Sequence, residues 1–462
     1  MKKETKALTK PIRYPLPRRL TAVMDILAAA IICMVPFHAF LTVWGSSVFG
    51  HYTELRLWKE FLLLVLVCAA GYALVRQLSG RRGVRISDVR DQPLSIAIGL
   101  YLILLVLSGI LALATDIATP KAMLFGLLLD ARFLIFFAVV WVLASHSRWL
   151  ADHWRRLLLY PATAVLLFGL LQFFVLPPDF LRHFGYGPDT IVAIQTVDQK
   201  LEYQRAQSTL RGANPLGAYL IIIIAASAAL MLGRRSTPGR HTWWAGLLAA
   251  ALAVLALTFS RSAWLGAFAA LAWLLWQAIR NPKSRQVLLA AGAVAVLVAG
   301  SVGYGLRNND TFQNTFFHTD EHSQSPTSSN QGHREATVSG VRDIVRQPLG
   351  GGTGTAGPAS VYNDKPARIA ENYFVQVGQE AGIIGLLLLA AIHVFVGREL
   401  WRRRAHPLAR TLLVSLIGIV VVNMLSHAWT DDTLAYVWWG LAGAAMGLPL
   451  TKAADEESRT RS

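Results

Sequence analysis

Runs of about twenty consecutive apolar residues recur along the whole chain, and nothing in the sequence constrains the fold more strongly. Backbone buried in hydrocarbon must satisfy its own N–H and C=O groups, and a helix of about 20 residues does so while crossing the ~30 Å core. Twelve such runs are found: 20–44, 57–75, 94–114, 123–144, 157–176, 215–232, 243–259, 264–279, 287–304, 382–397, 411–429 and 434–450. Several are short, and the pair around residue 260 also fits one re-entrant hairpin. Composition agrees: 15% of the 462 residues are charged, against about 25% in an ordinary soluble domain. A soluble enzyme is excluded. The expected fold class is an all-α integral membrane protein with about 12 transmembrane helices and one large outside loop containing short helices.

Sidedness follows from the basic residues. The first 19 residues hold seven Lys/Arg and lead into a long apolar run, which reads as a signal anchor rather than a cleaved signal peptide. The N-terminus, the loops near 76–93, 145–156, 233–242, 280–286 and 398–410, and the tail hold 29 Lys/Arg. The opposite loops hold 13, ten of them in two long segments that the positive-inside rule weights weakly. Residues 1–19 and 451–462 are therefore expected to be cytoplasmic tails in the inner or plasma membrane. Helices one to nine would occupy 20–304, and ten to twelve 382–450. The formal charge of +17 is mostly topology, so a nucleic-acid partner is not expected. Cys33 and Cys68 lie in apolar runs, where they build neither a disulfide framework nor a thiolate metal site.

Two long segments then face outside, 177–214 and 305–381. In the second, Asn308 to Gly332 reads as irregular loop. His333 to Gln347 places Val338, Val341, Ile344 and Val345 at helical spacing and stops at Pro348, predicting a short amphipathic helix on the membrane or the bundle. Gly350 to Gly357 follows no strand and lacks the Gly-Lys-Ser/Thr ending of a phosphate-binding loop, so a flexible turn is expected. His318 and His322 flank two acids in a polar loop and read as solvated rather than metal-binding. Asp130 and Arg132, two residues apart inside the fourth run, point to different faces and are each expected to pair with another helix.

Arginines on the outside face are the anomaly. Arg261 interrupts the apolar stretch from Trp243 to Ile279. It reads either as a capping or snorkelling residue or as an anion clamp between two helices. Arg211 precedes a helix that Asn214 as N-cap and Pro215 as first residue should start, and a helix N-terminus beside an arginine suits an anion. With Arg182, Arg205, Arg334, Arg342, Arg346 and Arg368 they imply a cationic outer face for an acidic or phosphorylated substrate. Glu371 and Glu380 flank the start of the tenth run. Glu371 or Asn372 is a helix cap and Glu380 an interfacial acid, or else Glu371 is a general base at the membrane surface.

These segments, in chain order, resemble the O-antigen ligase and O-antigen polymerase superfamily. Arg211-Gly212-Ala213-Asn214-Pro215 is similar to its segment opening a mid-chain span, and Ser260-Arg261-Ser262-Ala263-Trp264 to its Ser-Arg-x-x-Trp hairpin. His333-Arg334 through Pro348-Leu349-Gly350 resembles its loop helix, and Glu371-Asn372-Tyr373 through Glu380-x-Gly382-Ile383-x-Gly385 its closing segment. The resemblance covers about residues 200–390. It implies a glycosyltransferase with no cofactor and no metal. The donor is a lipid-linked glycan on polyprenyl pyrophosphate, the acceptor a sugar hydroxyl on a glycan or glycolipid, and membrane lipids surround a site facing outside. Arg211, Arg261 and Glu371 are the implied catalytic residues, and Arg334, Asn372, Arg205 and Arg368 the substrate-binding ones. Ligases of this family carry a histidine where this chain has Glu371. A polymerase of the same superfamily is the alternative. From another class, a transporter or flippase of lipid-linked sugars also fits twelve spans.

Overall fold

Pro36 divides the first apolar run into two helices, Arg18–Met34 (α1) and His38–Phe49 (α2), joined by a 3-10 turn. In this computed structural model the described residues are 17–79, 92–197, 200–233, 238–279, 329–451 and a few positions between 281 and 305. Trp58–Ser79 (α3), Pro93–Ala114 (α4), Pro120–Ala144 (α5) and Trp149–Phe174 (α6) follow. Proline opens α4 and α5, where its missing N–H has no helical partner to lose, and Thr119 caps α5 by accepting from the Ala122 N–H. Ala213–Met231 (α7), Pro238–Leu257 (α8) and Arg261–Ala278 (α9) form the middle of the bundle. Ser329–Arg346 (α10), Tyr373–Arg402 (α11), Pro407–Asn423 (α12) and Asp432–Ala445 (α13) complete it.

Eleven of the twelve predicted runs fall on helices, and 287–304 lies almost wholly outside the described residues. Among the described residues eight helices are long and apolar enough to cross a membrane. Those at 261–278, 407–423 and 432–445 are shorter or less apolar, so a count of twelve spans is not established. The pair around residue 260 consists of two helices of 20 and 18 residues. Among the described residues all-α holds with one exception in the 177–214 segment, an antiparallel hairpin of Gln195–Val197 (β1) and Lys200–Arg205 (β2).

Helix α13 is the axis of the bundle, buried from Thr433 to Ala445. It approaches α5 closely because Gly440 faces the Phe136 ring and Gly443 the Phe137 carbonyl. At a second crossing a Cβ on Gly266 would lie 2.6 Å from the Gly418 carbonyl oxygen. Small residues do here what burial from water does in soluble cores, since lipid is as apolar as leucine. Asp130 and Arg132 pair across helices as expected. The Tyr373 hydroxyl donates to Asp130 (3.1 Å), and Arg132 meets Glu60 (3.0 Å), Asp432 and the Thr430 carbonyl (3.0 Å).

Two expectations are corrected where α11 begins. Gly350 to Gly357 is not a flexible turn, for it is mostly buried between α4, α5 and α11. Gly352 sits against Ala112 and the Ser108 carbonyl, and Gly354 against the Ala122 carbonyl, with φ of +99° and +90°. Any side chain would collide there. Glu380 is not an interfacial surface acid. It is fully buried, and its carboxylate accepts from the N–H of Gly354 (2.9 Å) and Ala356 (3.3 Å). Helix α11 breaks at Gly382 (φ +66°), where the tenth run was expected to start. The loop satisfies the freed backbone: Gly352 N–H donates to the Glu380 carbonyl (2.8 Å), and Ile383 N–H to that of Pro348 (2.9 Å).

The amphipathic helix exists as α10, and its apolar residues divide. Ile344 packs on Gly378 of α11, while Val338, Val341 and Val345 stay exposed.

Candidate functional site

Alternation of helix direction brings four stretches to one end of the bundle: 205–215, 258–261, 371–373 and 424–431. A cavity of about 310 Å³ opens there, lined among others by Gln195, Arg205, Arg211, Asn214, His427 and Asp431. Arg205 ends β2, and its Nε donates to the Thr258 carbonyl (2.8 Å) and its Nη2 to Asn214 Oδ1 (2.6 Å). Arg211 donates from Nε to Asp431 Oδ2 (3.0 Å), and its side chain stays 46% exposed. Helix α7 starts earlier than expected. Gly212 precedes its first residue, and the Gln195 side chain accepts from the Ala213 N–H (2.8 Å), so Asn214 is free to receive Arg205.

Arg261 is the first residue of α9, following the Thr258 turn that holds Arg205, and is half-buried. Asn372 caps α11: its Oδ1 accepts from the Val375 N–H (3.0 Å), and its Nδ2 donates to the Met424 carbonyl (2.7 Å). Next to it, the Glu371 carboxylate contacts Nδ1 of His333 on α10. The Tyr373 N–H donates to the Ser426 carbonyl (3.2 Å), docking this corner beside His427. Burial, with the nearby charges of Arg211 and His333, lowers the His427 pKa to about 4. His427 thus lies within electrostatic reach of both Arg211 and His333, and is neutral at pH 7.

Backbone strain gathers at the same end. Among the described residues five non-glycine positions have left-handed φ, and three are Ser208, Phe259 and Glu371. Each lies within three residues of Arg211, Arg261 or the Glu371 contact itself. Such conformations cost of order 1–3 kcal/mol and persist where the surroundings impose them, often at functional sites.

Other expected residues are placed differently. Arg334 is exposed on α10 beside His333. Arg368 is engaged by Asp343 (2.7 Å), which also accepts from Gln379 (2.8 Å), so it braces α10 against α11. Burial raises the Asp343 pKa, but hydrogen bonds from Arg368 and Gln379 and the charges of Arg368 and Arg346 outweigh it, leaving the carboxyl below its ordinary range. His318 and His322 lie outside the described residues, among which no group of three His, Cys, Asp or Glu is arranged to hold a metal. His427 and Asp431 were not anticipated from the sequence.

The fold and crevice define a polytopic helical membrane protein with a cationic pocket at one end. An O-antigen ligase family model matches residues 245–390. That match supports the O-antigen ligase superfamily for this segment, and with it a membrane glycosyltransferase of ligase or polymerase type. The matched segment includes Arg261, Arg334, Arg368, Glu371 and Asn372, whereas Arg205 and Arg211 precede it. Comparison with curated proteins finds no match.

Proposed function

We propose that the crevice transfers a glycan from a polyprenyl-pyrophosphate carrier to a sugar hydroxyl on the outer face of the membrane. The observation that carries this reading is the meeting of two chemistries at one end of the bundle. Arg205 and Arg211 line one cavity, and the His333–Glu371 pair stands beside the same His427. A diphosphate leaving group needs cations, and a guanidinium grips its oxygens two at a time. Arg211 is tethered through Nε alone, which leaves both terminal nitrogens for the ligand. We assign Arg261, opening the adjacent helix, to the same diphosphate. Arginines then supply the charge stabilisation that a metal supplies in other transferases.

The acceptor hydroxyl attacks the anomeric carbon, the bond from that carbon to the diphosphate oxygen breaks, and its electron pair leaves with the carrier. The hydroxyl proton needs a base within about 3 Å. Glu371 is the carboxylate that the family resemblance implies for this role, and its contact with His333 makes the pair the unit. With His333 Nδ1–H donating to Glu371, Nε2 is left to take the proton, and the carboxylate balances the imidazolium.

Both His333→Gln and Glu371→Gln are expected to lose about 10²–10⁴-fold in turnover while donor binding survives. The assay is transfer from a purified lipid-linked glycan. Full activity in both variants leaves Glu371 and Asn372 as helix-start residues and removes the base. The same assay separates single transfer to an acceptor, as in a ligase, from growth of the glycan, as in a polymerase.

A further inference from the structure

The opposite end of the bundle holds a second and larger cavity, of about 1480 Å³. The starts of α6, α8 and α12 and the ends of α7 and α9 frame it. Helix α7 has 19 residues, which span ~28 Å at about 1.5 Å per residue, close to the ~30 Å hydrocarbon core. The cavity therefore lies at the membrane boundary opposite the Arg211 crevice. Arg155, Arg156, Arg240 and Arg410 line it, and among the described residues no acid does. Among the described residues none of these four guanidinium groups has an ion pair or a hydrogen bond. Arg155 and Arg240 are close enough to repel one another. Asp152, one helical turn away, faces Arg148 instead (4.0 Å).

Cations crowded this way call for an anion. The rest of the lining says which kind, since Leu159, Leu274 and Trp244 give an apolar wall. Tyr160 and Trp243, 70% and 55% exposed, are the aromatic types that settle at headgroup level. We propose that this cavity binds an anionic glycerophospholipid, with its phosphate on the four arginines and an acyl chain along the apolar wall. Basic pockets between membrane helices take acidic headgroups in this way. The expected sidedness puts it in the cytoplasmic leaflet. The inference uses no residue of the crevice and stands apart from glycan transfer.

Full-length protein in phosphatidylcholine nanodiscs, with and without phosphatidylglycerol, provides the test. Native mass spectrometry counts retained phosphatidylglycerol against the Arg240→Gln/Arg410→Gln variant. A cation at the membrane surface is worth about fivefold in affinity, so the double variant should bind about 25-fold more weakly. Unfolding temperatures in pure phosphatidylcholine should match, which checks folding, and Arg156→Gln/Arg410→Gln serves if the first pair does not fold. Equal phosphatidylglycerol retention by wild type and variant overturns the proposal. So does equal protection of the wild type by inorganic phosphate in detergent, which would assign the cavity to a soluble anion.

Discussion

Asp431 and Asp432 are neighbours in the chain and meet different arginines. Asp432 joins Arg132, Lys59 (3.3 Å) and His38 (3.2 Å), and Glu60 bonds the same two cations. Two acids and two cations close on themselves, and the Arg132 side chain is only 6% exposed. Asp431 spends Oδ1 on capping α13, from Thr433 (3.0 Å) and Leu434 (3.2 Å), and offers Arg211 a single oxygen. Arg211 remains 46% exposed with two nitrogens unengaged. Similar residue types, anchored by adjacent positions in the chain, thus take opposite roles. Full neutralisation with burial locks α3, α5 and α13 together, whereas partial neutralisation at a crevice keeps charge for a ligand.

The largest effect expected from this contrast is on stability. Arg132→Ala leaves Glu60 and Asp432 sharing Lys59 in a buried setting, and breaking such a pair costs about 3–5 kcal/mol. The variant should be depleted from the membrane, or unfold at a much lower temperature in detergent. Normal abundance and midpoint would break the contrast from the structural side. A smaller effect concerns His427, whose pKa falls from 6.5 in the ordinary range to about 4 in the fold. Between these values the unfolded chain binds more protons than the folded one, so stability declines as pH drops from about 6.5 toward 4 and is flat above. Unfolding midpoints at pH 7.5 and 5 should differ in the wild type, and His427→Asn should lessen the difference. An unchanged slope in that variant would place the titrating group elsewhere.

Much of this was legible because charge is expensive in an apolar chain. Arg211, Arg205 and Glu371 stood out for that reason, and the structure brings them to one end of the bundle. His427 and Asp431 did not, because the apolar run read as 411–429 conceals the end of its helix. Asn423 closes α12 by donating to the Ile419 carbonyl (2.9 Å) and accepting from the Trp429 N–H (3.0 Å). Met424, Leu425 and Trp429 kept the composition apolar through the turn that forms a wall of the crevice. The glycines of 350–357 look like a flexible turn in the sequence for a related reason. A glycine that permits motion and one that permits close approach are the same letter, and only Ala112, Ala122 and Glu380 around it tell them apart.

The most direct test of the cationic crevice is turnover per folded molecule of Arg211→Ala, assayed with a purified lipid-linked glycan donor. Removing one preorganised cation or donor from developing negative charge costs about 10²–10³-fold. We therefore expect wild-type abundance and unfolding temperature with turnover lowered by that amount, and partial recovery in Arg211→Lys, which restores the charge but not the planar fork. Turnover of well-folded Arg211→Ala within twofold of wild type would contradict the assignment and reduce Arg211 to an anchor for Asp431.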